Sequence, residues 1–334
     1  SIHHALSLYL LDVLPVLDFD SETYALDVLT FVESILEDPE AILRRQLDKL
    51  KGEKVAELKA AGVEYDDRMA ELEKLEYPKP NRDLVYDTFN EFARKHPWVK
   101  TENIRPKSIA REMVESVMSF TEYVREYGLE RMEGLLLRYL SDVYKTLVQT
   151  VPARAKDERV DELITTFGAI VRQVDSSLLD EWERLKNPYE LFEPTPVREE
   201  LEPAGSMDIT KDEKAFTVLV RNEIFRLIRA LARRDWVEAA RIVAPSPDVE
   251  AGEAQRIEGA LRPFFEAHQF LRVDPEARSP KHTTIDRSSA DAWRVRQVLL
   301  DAEEDNDWFF DATIDLAKSR EAARPVLSLE RIGT

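Results

Sequence analysis

The chain contains no cysteine. Disulfides, thiolate metal centres and cysteine nucleophiles are therefore excluded, and the absence fits a reducing, cytoplasmic setting. Glycine is scarce, nine in 334 residues, and none falls into G-x-x-x-x-G-K-[ST], G-x-G-x-x-G or G-x-S-x-G. Phosphate loops, dinucleotide folds and nucleophile elbows need glycine where the backbone turns sharply or approaches a ligand, so none of these is expected. The five histidines (His3, His4, His96, His268, His282) are scattered without an i,i+4 pair, and H-E-x-x-H does not occur. A metal site is not expected from such spacing. No apolar run approaches the roughly 20 residues of a membrane-spanning helix, and no signal-peptide pattern opens the chain. The expectation is no membrane partner, no catalytic residue and no cofactor bound by the chain itself.

What is abundant is charge. One third of the residues are charged and the net charge is −19, yet 43% are hydrophobic. Apolar residues recur with helical periodicity, which marks long helices with one solvated face rather than disorder. The acid excess lies mostly before residue 205, so any nucleic-acid contact must come from a local basic stripe. The length fits two or three domains. Ser1 falls in the middle of an apolar helical pattern (Ile2, Leu6, Tyr9, Leu10, Val13), which predicts a fragment with sequence missing upstream.

The expected fold is mostly α: a helical bundle with a projecting charged helical hairpin, followed by a smaller α+β domain with an antiparallel sheet. First helices of the bundle fill 1–38, with Asp20 or Ser21 capping a helix that carries Tyr24, Val28, Phe31 and Ile35. Residues 39–76 form the hairpin, helices at 39–60 and 64–76 around Ala61-Gly62, laced with charges at i,i+4 spacing. Tyr77-Pro78-Lys79-Pro80 punctuates the chain, since each proline removes a donor and restricts its predecessor. The main bundle covers 77–187, with helices near 82–95, 108–127, 129–149, 157–174 and 176–186. In the second of these Ile109, Met113, Val117, Phe120, Val124 and Tyr127 form one apolar stripe, with Ser108 as cap. Residues 188–210 read as a proline-rich linker.

Beyond the linker, 211–334 predicts three helices (211–233, 235–243, 250–268) and then about four antiparallel strands. Trp308, Phe310, Ala312, Ile314 and Leu316 alternate with Phe309, Asp311, Thr313 and Asp315, the period of a half-buried strand. Trp293, Val295 and Leu299 alternate with Arg294 and Arg296 before it. A turn within 301–307 would set both arginines on the Asp311–Asp315 side. Residues 281–287 and 325–332 supply two more strands. The element order is similar to cone-shaped nuclear-transport-factor-like and cystatin-like folds.

Two acidic strings invite a catalytic reading. Leu178-Leu179-Asp180-Glu181-Trp182-Glu183 looks like a DExx box, but Leu178, Trp182 and Leu185 have helical spacing and the acids suit the first turn of a helix. Asp301, Glu303, Glu304, Asp305 and Asp307 lack the glycine and spacing of a calcium loop and read as an exposed hairpin turn. His268, Trp236 and the sheet face are candidates to line a pocket, with simple core packing as the commoner arrangement.

The positive signal is a basic row. Arg131, Arg138 and Lys145 recur every seven residues on helix 129–149, opposite Met132, Leu135, Leu136, Tyr139, Leu140, Val143 and Leu147. Such a row on a core-anchored helix can track a nucleic-acid backbone, and Arg105, Lys107 and Arg111 at the preceding helix start could extend the path. A solvated face balanced by neighbouring acids produces the same spacing.

Residues 22–37 (ETYALDVLTFVESILE), 105–114 (RPKSIAREMV), 119–152 (SFTEYVREYGLERMEGLLLRYLSDVYKTLVQTVP) and 171–187 (VRQVDSSLLDEWERLKN) closely resemble a C-terminal accessory family that follows the motor core of bacterial DEAD/DEAH-box helicases. RNEIFRLI and WRVRQVLLD extend the likeness beyond the linker. Glu133-Gly134-Leu135-Leu136-Leu137-Arg138 before a long amphipathic helix is similar to superkiller-type DExH RNA helicases, in which one ratchet helix of a bundle touches the single strand. The resemblance implies a non-catalytic accessory region that guides nucleic acid, single-stranded RNA in the first instance, past an ATPase motor. It nominates Arg138 first, with Arg131 and Lys145 beside it. ATP and magnesium would then belong to the motor, and the partners would be that helicase core and RNA. Two other readings stay open: a scaffold recruiting proteins through 39–76 and the α+β domain, and a small-molecule-binding cone at 211–334.

Overall fold

The computed structural model describes residues 4–174, 208–244 and 246–334. The chain divides into two compact units, Ser1–Phe192 and Glu193–Thr334. The predicted helix at 176–186, the DExx-like string within it and nearly all of the proline-rich segment lie outside the described residues.

The helical unit is built around α2 (Tyr24–Ser34), which follows α1 (His4–Val13). Every residue of α2 from Val28 to Ser34 is buried, the pattern of a helix surrounded on all sides rather than resting on a surface. Tyr9 of α1 packs edge-on against Phe89 and Phe92 of α5 (Arg82–Lys95), with ring centroids 5.3 and 5.7 Å apart. The Tyr9 hydroxyl is hydrogen-bonded to the Val85 carbonyl and Thr88 Oγ1. A buried phenol needs such a partner. α8 (Glu133–Gln149) and α9 (Glu158–Val174) close the bundle as a packed pair. They approach so closely at Gly168 that a Cβ there would lie 2.9 Å from the Tyr144 ring.

α3 (Glu40–Ala60) and α4 (Tyr65–Glu73) form the charged hairpin, turned at Gly62 with φ of 72°. Only its base enters the core. Ile42 and Leu43 join the main cluster, and the buried Gln46 amide donates to the Ser108 carbonyl at 2.9 Å and Glu112 Oε2 at 2.8 Å. Further out the helix carries Leu58 against α4 and an otherwise charged surface. Lys49 pairs with Glu126 at the boundary between the two halves.

One predicted helix is two. The segment expected as 108–127 forms α6 (Ala110–Glu115) and α7 (Phe120–Tyr127), broken where Val117 takes φ of 50°. Ser119 restarts the helix with a complete capping box, its side chain accepting from the Glu122 N–H while Glu122 returns to the Ser119 N–H. The apolar spacing runs unbroken across the gap because both helices face the same core. Ser108 does not cap α6; the free N–H groups there donate to Glu33 instead. The α2 start also differs, with Thr23 as the boundary residue and Ser21 Oγ accepting from the Thr23 N–H.

The second unit opens with α10 (Glu213–Ala232), α11 (Trp236–Val243) and α12 (Glu250–Ala267). Asp212 and Asp235 cap the first two, accepting from the N–H groups of Ala215 and Glu238. An antiparallel meander follows, β1 (Thr283–Asp286), β2 (Ala292–Leu299), β3 (Trp308–Asp315) and β4 (Leu327–Gly333), in spatial order β1-β2-β3-β4. The register pairs Arg294 with Thr313 and Arg296 with Asp311, which puts both arginines on the Asp311–Asp315 side as the alternation predicts. Arg296 and Asp311 meet in a two-pronged ion pair of 2.7 and 2.8 Å on the outer face. The inner face carries Trp293, Val295, Leu299, Phe310, Ala312 and Ile314, all buried. Leu316 is not a strand residue but the first residue of α13 (Leu316–Ala322). Asp315 accepts from the Lys318 N–H and turns the chain into a helix, which connects β3 to its sheet neighbour β4 along the chain. The fold is thus mostly α, with a small antiparallel sheet in its C-terminal part.

Candidate nucleic-acid interface

The two basic groups nominated from the sequence separate into distinct environments. Lys107 is fully buried. Its Nζ donates to the carbonyls of Glu33 at 2.7 Å, Leu36 at 2.8 Å and Arg105 at 2.8 Å, and lies 3.1 Å from Asp38 Oδ1. An ammonium has three protons, so none is left over for a phosphate. Burial pushes this amine down to about 8, against the pull of Asp38.

Glu33, also fully buried, is the complementary device. Its Oε1 accepts from the N–H groups of Ile109 and Ala110, both at 2.8 Å, and from the Tyr139 hydroxyl at 2.7 Å. Oε2 accepts from the Arg111 N–H at 3.1 Å. Burial raises its pKa while these four donors pull it back. The C-terminal end of α2 therefore meets the N-terminal end of α6, each satisfied by a charge from the other side.

Arg111 is drawn into the same knot. Its guanidinium reaches Thr30 Oγ1 at 2.8 Å and Asp27 Oδ1 at 3.3 Å, and pairs with Glu115. Arg105 is half-buried and its N–H donates to the Ser34 carbonyl at 2.9 Å. This basic run organises the bundle interior around α2.

The other group faces outward, though not as one continuous helical row. α8 begins at Glu133, so Arg131 stands in the exposed turn before it. Arg138 is on the helix and exposed, while its neighbours Leu137 and Tyr139 are buried. Lys145 is half-buried two turns further on, about 10.5 Å along the axis. Asp142 lies between them. Burial raises its carboxyl, and the charges of Lys145 and Arg138 oppose that rise. Among the described residues neither Arg131 nor Arg138 forms a salt bridge. Tyr139, held by Glu33, fixes the rotation of α8 and hence the outward aim of Arg138.

In the second unit, the His268, Asp301 and Asp305 ligand atoms lie within 4.8 Å of one another. Asp301 is fully buried, and its two oxygens accept from the N–H groups of Asp305 at 2.9 Å and Asn306 at 2.7 Å. Burial works against its charge, but these backbone donors hold the carboxyl below its ordinary value. His268 Nδ1 lies 2.8 Å from Glu303 Oε2. The acidic turn is thus organised by its own backbone around one buried carboxylate. Phe264 stands between His268 and Trp308, with ring centroids 4.9 and 5.6 Å away, and Phe265 meets Trp236 at 6.2 Å. His268 and Trp236 are thus each packed against an aromatic ring of α12, and both are half-buried.

Among the described residues, no helix is long and apolar enough to cross a membrane. The chain belongs to the family described as a domain of unknown function (DUF3516), whose sequence profile matches residues 1–332. No curated protein and no solved structure matches it.

Proposed function

We propose that this chain is the accessory C-terminal region of a bacterial, cytoplasmic DExH-box helicase, and that its helical unit guides single-stranded RNA past the ATPase motor. ATP and magnesium are held by that motor, and this chain contributes no catalytic group. The observation that carries the reading is the setting of Arg138. It projects from a helix whose other side is sunk in the core, next to a tyrosine anchored on a buried carboxylate. A cation held this way offers a phosphate a fixed contact at little further cost in side-chain or helix ordering. Arg131 and Lys145 flank it along the same helix and its leading turn, whereas Lys107 and Arg111 hold the bundle together. The sequence likeness to superkiller-type helicases supports the same assignment.

The test is charge reversal, Arg138→Glu, in the full-length protein. RNA-stimulated ATP hydrolysis is expected to fall severalfold. Stimulation equal to that of the wild type sinks the assignment of α8. The isolated chain is expected to hydrolyse no ATP.

A further inference from the structure

A second surface of the helical unit carries an aromatic side chain that the core does not use. Trp98 is 56% exposed, although burial of an indole is among the larger apolar gains available to a protein. It is not a loose side chain on a mobile tip. Trp98 sits in a single 3-10 turn, Pro97–Val99, whose first residue is proline and whose last, Val99, is fully buried. The turn is closed by hydrogen bonds from the Val99 N–H to the His96 carbonyl at 3.0 Å and from the Glu102 N–H to the Val99 carbonyl at 2.8 Å. The His96 ring stands edge-on to Trp98 at 5.9 Å and contacts Phe92 of the core at 4.5 Å. The indole is thus presented on a rigid base.

Its neighbours are cations. Arg94, Lys95 and Lys100 are exposed, and no carboxylate occurs from Phe92 to Thr101 in a chain whose net charge is −19. Lys95 pairs with Glu91 one turn back, while neither Arg94 nor Lys100 forms a salt bridge with any described residue. An exposed indole flanked in sequence by three exposed cations differs from a protein-binding patch, in which lysine is depleted. It matches the pairing of stacking platform and phosphate contacts that single-stranded nucleic acids require.

We infer that Trp98 is a stacking platform for an unpaired base of single-stranded RNA, with Arg94 and Lys100 contacting the flanking phosphates. The inference rests on the proposed RNA-guiding role but concerns a site separate from Arg138. Anisotropy of a fluorescein-labelled oligouridine titrated with the full-length protein tests it, in the wild type and in Trp98→Ala, Trp98→Phe, Arg94→Glu/Lys100→Glu and Arg138→Glu. Because Trp98 is exposed, thermal melts of the variants are expected to match the wild type. Trp98→Ala is expected to weaken binding about tenfold, within the range for loss of one base–aromatic stack. Trp98→Phe should retain most of the affinity. The double charge reversal should weaken binding and lower its dependence on salt. Wild-type affinity in Trp98→Ala with weakened binding in Arg138→Glu overturns this site alone. Wild-type affinity in every variant overturns it together with the RNA-guiding role.

Discussion

Glu33 and Lys107 each cap the other's helix. The carboxylate at the end of α2 takes three N–H groups at the start of α6, and the ammonium just before α6 donates to the Glu33 carbonyl of α2 and the Leu36 carbonyl just past its end. Neither side chain touches water. Removing one partner leaves the other as a buried charge or leaves backbone groups unpaired, which costs about 3–5 kcal/mol. Glu33→Ala and Lys107→Met are each expected to lower the unfolding free energy by about that amount in urea titrations of the chain. Tyr139→Phe, which removes one donor to the same carboxylate, should cost about 1.5–3 kcal/mol. A loss below 1 kcal/mol in both cap variants contradicts the arrangement.

The same pair makes stability depend on alkaline pH. The Lys107 amine titrates near 10.5 when unfolded and at about 8 in the folded protein. Between these values the unfolded chain binds more protons than the native one, so this group's contribution to stability rises with pH. It is complete above the unfolded value and is lost as pH falls through about 8. The full span corresponds to about 3 kcal/mol. Measured against Lys107→Met, wild-type stability should therefore improve between pH 8 and pH 10.5. A flat difference across that window rules out a depressed lysine.

Glycine substitutions in two helices should have opposite signs. Gly52 on α3 has open space where a Cβ would be placed, whereas at Gly168 on α9 the new atom would sit 2.9 Å from the buried Tyr144 ring. Gly52→Ala is expected to stabilise by about 0.5–1 kcal/mol through helix propensity alone. Gly168→Ala gains the same propensity but forces α8 and α9 apart, and overpacking of this kind costs about 1–3 kcal/mol. Equal shifts in midpoint for the two variants would show that Tyr144 yields freely.

These contrasts also show what the amino-acid pattern can and cannot reveal. The strand period of two set Arg294 and Arg296 on the face of Asp311 and Asp315, because alternation fixes which face a residue takes; the pairing of Arg296 with Asp311 came from the fold. The hairpin of α3 and α4 was equally legible, being local and bounded by Gly62. The break between α6 and α7 was hidden because Met113, Val117 and Phe120 keep helical spacing while the backbone reverses sign at Val117. Ser119 followed by Glu122 was the signal that could have located it. From the sequence Lys107 has the look of a phosphate contact because its partners, the Glu33 and Leu36 carbonyls, lie 74 and 71 residues away along the chain. Burial of a charge is a tertiary fact with no local signature. Exposure of Trp98 is equally hidden, since a lone tryptophan beside a proline gives no pattern from which exposure can be read.

The separation of inward from outward cations predicts a distinctive salt response. Arg131 and Arg138 are exposed without salt bridges among the described residues, whereas Lys107 and Arg111 are committed to carbonyls, Thr30 and carboxylates of the bundle. If α8 tracks a phosphate backbone, each lost contact should lower the slope of log affinity against log salt by about 0.7 for a single strand. Arg138→Gln and Arg131→Gln are therefore expected to reduce that slope stepwise while leaving the melting temperature unchanged. Arg111→Gln should do the reverse, lowering stability and leaving the slope intact in the protein that remains folded. Oligouridine titrations between 50 and 200 mM salt, paired with thermal melts, distinguish the two patterns. A slope insensitive to Arg138 and Arg131 would remove α8 from the path of the strand.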